Sequence, residues 1–106
     1  MAITNSQLAS VSKTVVFAST GENAITCIIF CNTSITTDAT VSVWIVPAGD
    51  PAGSENQVIN ELSIPAGETF SIDTERFILS DSDSIQAQAS QNLIVTTTVS
   101  YVSTGQ

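Results

Sequence analysis

No segment of this chain spaces its apolar residues at a helical period over ten residues. Short stretches rich in Val, Ile, Thr and Phe follow one another instead, separated by turn-forming residues. Val11, Lys13, Val15 and Phe17 alternate with Ser12, Thr14 and Val16, which predicts a first strand. A turn over 19–23 follows. Residues 24–32 are apolar on both faces and predict a central strand. After a polar loop over 32–38, residues 40–46 put Val41, Val43 and Ile45 on one face and Ser42, Trp44 and Val46 on the other. Beyond a loop over 47–56, Val58, Asn60, Leu62 and Ile64 share a face. Further strands are predicted over 69–73 and in the short apolar stretch Phe77-Ile78-Leu79. Past the turn at 80–84, Ile85, Ala87 and Ala89 alternate with Gln86 and Gln88. A long last strand carries Leu93, Val95, Thr97, Val99 and Tyr101 on one face. The three prolines each open a Pro-Ala-Gly triplet, read as type I turns with Pro second and Gly fourth.

Seven to eight short strands in 106 residues predict an all-β fold, an antiparallel β-sandwich of immunoglobulin-like architecture, with a small barrel as the competing form. The length suits one domain, residues 1–106. The polar lead over residues 1–10 reads as an N-terminal arm lying on a neighbouring subunit. The antibody-type signature is missing, because Trp44 follows both cysteines and no Cys comes later.

The charge is sparse and one-sided. Ten acidic residues face two cations, Lys13 and Arg76, for a formal net charge of −8. Nucleic acid and anionic membranes both demand clustered Lys and Arg, so neither is an expected partner. The first residues carry no basic region followed by an apolar one, and the longest apolar run, residues 27–31, is far too short to span a bilayer. The expectation is a protein made and folded in a cytoplasm.

Groups that carry chemistry are few. The chain has no histidine, so a Ser-His-Asp or Cys-His arrangement cannot be built. No Gly-rich phosphate loop occurs. Cys27 and Cys31 sit four residues apart in one predicted strand, about 13 Å between Cα atoms, whereas a disulfide needs less than about 7 Å. They read as buried free thiols on the face of Ile25 and Ile29, with no further Cys or His to complete a metal site. Asp73, Glu75, Asp81 and Asp83 are the carboxylates that acid–base catalysis or calcium would use. Asp81-Ser82-Asp83-Ser84 reads first as turn chemistry. Trp44 and Tyr101 are the candidates for a sugar-stacking platform, with a core role as the alternative. The expectation is no enzyme, no catalytic residue, no cofactor and no metal.

With the strands placed, a resemblance emerges. Residues 26–34, Thr-Cys-Ile-Ile-Phe-Cys-Asn-Thr-Ser, are similar to the second strand and turn of small virion structural proteins of tailed bacteriophages, of the cyanophage type. So are Val43-Trp44-Ile45-Val46-Pro47-Ala48-Gly49, Ile64-Pro65-Ala66-Gly67-Glu68-Thr69-Phe70, and Phe77-Ile78-Leu79 with Asp83-Ser84-Ile85-Gln86-Ala87. The resemblance covers residues 15–103. Relatives are expected to carry Gly before the Asp of the penultimate turn, where this chain has Ser82. The family implies an immunoglobulin-like sandwich that serves as a structural part of the virion and carries no catalytic residues.

The resulting expectation is a capsid decoration or cement protein that binds the major capsid protein, homo-oligomeric in the particle. An acidic domain suits the outside of a head, away from like-charged packaged DNA. A tail, neck, baseplate or fibre component is the alternative, as is a carbohydrate- or receptor-binding module. An exposed Trp44 in a groove favours that last reading, and a buried one counts against it.

Overall fold

The computed structural model describes residues 2–72 and 77–103. It contains nine strands: β1 (Ala2–Gln7), β2 (Thr14–Ala18), β3 (Asn23–Asn32), β4 (Ala39–Val46), β5 (Gln57–Ile64), β6 (Thr69–Ile72), β7 (Phe77–Leu79), β8 (Ser84–Ala89) and β9 (Val95–Ser103). All pairings are antiparallel. One sheet has the order β1-β9-β3-β6, with β7 also on β3, and the other β2-β8-β4-β5. Their inner faces share one core that includes Phe17, Ile25, Ile28, Phe30, Val41, Val43, Ile85, Val95 and Val99. Burying a side chain of this size contributes roughly 1.5–3 kcal/mol.

The all-β sandwich stands as expected, and two particulars are corrected. The described residues form nine strands, because residues 2–7, within the stretch read as an arm on a neighbouring subunit, pair with β9 of their own chain. β1 runs along β9 from the pair Ala2–Tyr101 to the pair Gln7–Thr96, and Leu8 behind it is fully buried. The polar Thr4 and Ser6 conceal this strand from a hydrophobicity pattern, and Thr4 turns inward to donate to the Val16 carbonyl at 3.0 Å.

The second correction concerns topology. In an immunoglobulin sandwich the first two strands share a sheet. Here β1 and β2 lie in opposite sheets. The chain instead doubles back at the β4–β5 connection: β5 pairs β4, β6 and β7 pair β3, β8 pairs β2, and β9 pairs β1. A long hairpin rolled in this way into two layers, here of five and four strands, is a jelly roll.

Bulges redirect several faces. In β3 the register against β9 shifts between Ile25 and Cys27, and the Thr26 hydroxyl fills the irregularity by donating to the Ser100 carbonyl at 3.1 Å. Ile25 and Ile28 are therefore both buried, while Cys27, Ile29 and Cys31 move to the outer face. In β2 a shift between Val15 and Phe17 buries both Val16 and Phe17 and leaves Val15 half exposed. Val11, expected in that strand, precedes it and is exposed. In β5 the break at Glu61, whose φ is 55°, splits the expected face: Leu62 and Ile64 point inward with Ile59, and Val58 is exposed.

Two Pro-Ala-Gly triplets are turns of another type than expected. Asp50 N–H donates to the Pro47 carbonyl and Glu68 N–H to that of Pro65, so Pro is first and Gly third. Gly49 and Gly67 have φ of 83° and 77°, the left-handed value that the third position of a type II turn requires.

Candidate interaction surface

The nine strands carry a single charged residue, Glu61 in β5. The other described charges, Lys13, Glu22, Asp38, Asp50, Glu55, Glu68, Asp81 and Asp83, all lie in connections. Apart from Glu61, the described charges are thus displaced from the strands, and among the described residues the outer face of the β1-β9-β3-β6 sheet carries none.

The strand registers define that face. Ile3, Ser100 and Cys27 form one row across β1, β9 and β3. Asn5, Thr98, Ile29 and Ser71 form the next, and Gln7, Thr96, Cys31 and Thr69 a third. The Thr98 hydroxyl donates to Asn5 Oδ1 at 2.7 Å, tying β9 to β1 across the surface. Ile3 is 61% exposed at the rim. Small hydroxyls, amides and isolated apolar groups on a flat sheet suit contact with protein, since nothing charged must be stripped of water on association.

Two of the carboxylates named from the sequence, Asp81 and Asp83, hold turns. Asp83 accepts from the Ala48 N–H through Oδ1 and the Ser80 N–H through Oδ2, each at 2.9 Å, and so joins the β7–β8 turn to the β4–β5 connection. Asp81 Oδ1 accepts from the Gly21 N–H at 2.8 Å. Asp73 and Glu75 lie outside the described residues, as does Arg76. Among the described residues no three His, Cys, Asp or Glu side chains gather as metal ligands. Cys27 and Cys31 are free, as expected, and half-buried on the outer face; the Thr26 bulge separates them from the core face of Ile25.

Trp44 and Tyr101 do not form a platform. Trp44 lies on the second sheet, on the strand face opposite the core-facing Val43, and is only 7% exposed, with Lys13 Nζ 4.8 Å from its ring centroid. Tyr101 belongs to the first sheet and packs against Phe17, ring centroids 4.6 Å apart. A buried Trp44 counts against the sugar-stacking reading. A hollow of about 260 Å³ on the second sheet is lined by Ser10, Thr40, Ser42, Glu61, Gln88 and Ser90 among others. Sequence reasoning missed it because Ser10, β4, β5 and β8 meet there only through pairing.

No family model matches the chain, and no curated protein or solved structure is similar to it at the level of a match.

Proposed function

We propose that this chain is a structural accessory protein of a tailed-phage virion, a capsid decoration protein seated on the major capsid protein. The observation that carries the reading is the charge-free outer face of the β1-β9-β3-β6 sheet in a chain of net charge −8. Such a surface favours docking to protein and offers nothing to phosphate. The rolled strand order supports the reading by analogy, because capsid domains commonly use it, as do lectins and cupins. The resemblance over residues 15–103 implies the same role, although the immunoglobulin-like strand order it also implies is not the one observed.

Copy number in purified virions, measured by quantitative mass spectrometry against the major capsid protein, tests this. One copy per capsid subunit, or per few subunits, is the expected result. A few copies per hundred moves the protein to tail, neck, baseplate or fibre, and absence from the particle ends the virion reading. A carbohydrate- or receptor-binding module is the second reading, favoured by the hydroxyl- and amide-lined hollow beside Glu61. Glycan-array binding lost in Glu61→Gln is the result that selects it.

A further inference from the structure

The two sheets present four edges, and three are protected against pairing with another chain. β2 is interrupted by its register shift between Val15 and Phe17 and preceded by Lys13. β5 breaks register twice against β4 and carries Glu61. The β6 and β7 side is built from strands of four and three residues. Bulges, charges and brevity are the usual defences of an edge. β1 has none of them. It runs six residues in unbroken register with β9, with no charge, Pro or Gly.

The unpaired groups on that edge follow from the ladder. Leu8 N–H donates to the Val95 carbonyl at 2.9 Å, in the register that continues from β1. Antiparallel alternation then makes Ser6–Thr97 and Thr4–Val99 the hydrogen-bonded pairs and turns the N–H and C=O of Ile3, Asn5 and Gln7 away from β9.

We infer that β1 is where two copies of this chain join edge to edge, antiparallel about a twofold axis at Asn5. In that register Asn5 faces Asn5 of the second copy and Ile3 faces its Gln7, so every outward-turned residue meets another. The pairing is self-complementary, as a twofold contact must be, and it makes the sheets of the two copies continuous. Charge selects the same place. Copies of net charge −8 repel one another, and β1 with its neighbour β9 forms a strip without charge along which they can meet. The inference concerns the isolated chain and does not depend on the virion reading.

Sedimentation velocity of the purified full chain over a concentration series tests it, beside Asn5→Pro and Asn5→Lys. Proline removes an N–H that the β1–β9 ladder does not use, and lysine sets like charges opposite each other across the axis. The expected result is a reversible dimer in the parent chain, with association weakened roughly tenfold or more in both variants at unchanged circular dichroism. Hydrogen exchange should then show the amides of Ile3, Asn5 and Gln7 gaining protection as concentration rises, while Thr4 and Ser6 are protected throughout. A parent chain that stays monomeric up to its solubility limit overturns the inference. So does a dimer that keeps its strength in both variants, or one that forms without protecting the three amides.

Discussion

Lys13 Nζ stands 4.8 Å from the centroid of the Trp44 ring, and so one of the two cations in the chain lies over its one tryptophan. Trp44 faces away from the core yet is buried, with the Lys13 ammonium over its ring. Lys13→Ala is expected to expose the indole and to lower stability by about 0.5–1 kcal/mol. Tryptophan emission reports on this site alone: the variant should shift to the red and gain acrylamide quenching, and an unchanged spectrum would contradict the arrangement.

Ser82 occupies a glycine position. Its φ is 71°, and it is held there by the Asp81 and Asp83 turn contacts and by its own N–H donating to the Ser19 carbonyl at 2.9 Å. The left-handed region costs an L-residue roughly 1–2 kcal/mol, offset in glycine by greater unfolded-state freedom. Ser82→Gly is therefore expected to stabilise the fold by about 0.5–1 kcal/mol, read as a higher midpoint in urea at constant m-value.

Asp83 is the clasp of the same turn. Asp83→Ala removes two hydrogen bonds to the backbone N–H groups of Ala48 and Ser80 at a partly exposed site, an expected loss of about 1–2 kcal/mol. Asp83→Asn keeps one acceptor and should lose less. Equal losses in the two variants, measured by denaturant titration, would count against the pairing.

Thr97 places a hydroxyl in the core without a partner. It lies between Val95 and Val99 on the inner face of β9, 1% exposed, and its Oγ1 makes no hydrogen bond. A methyl group in its place removes the desolvation cost of that oxygen, so Thr97→Val should raise stability by about 1–2 kcal/mol. Thermal unfolding checks it, and a lower Tm in the variant would show that the hydroxyl has a partner.

Asn32 is the reverse case. Fully enclosed at the end of β3, it donates through Nδ2 to the carbonyls of Thr37 and Ile64, each at 2.9 Å, and accepts from the Ser34 N–H at 3.0 Å. Asn32→Ala leaves these backbone groups unpaired beside the core. A loss of about 2–3 kcal/mol is expected, with faster amide exchange at Ser34 as the local sign.

What the sequence determined by itself is the local part of this fold. Two-residue alternation, β-branched runs and turn residues identify a sandwich, the alternation of Ile85, Ala87 and Ala89, and the central place of the β3 segment. The scarcity of charge was equally legible, since it needs only counting. The sheets decided the rest. Strand order depends on partners far apart in the chain, as when Ala2 meets Tyr101, and local alternation is the same whether β2 joins the sheet of β1 or the opposite one. Faces were misassigned wherever one extra residue enters a strand, because a one-residue slip exchanges inside for outside: the irregularity at Thr26 carries Cys27 and Cys31 out of the core, and that at Glu61 turns Val58 to solvent. The charge-free face and the unguarded β1 edge exist only once long-range pairing has set β1, β9 and β3 side by side. No single segment contains enough of either to be seen alone.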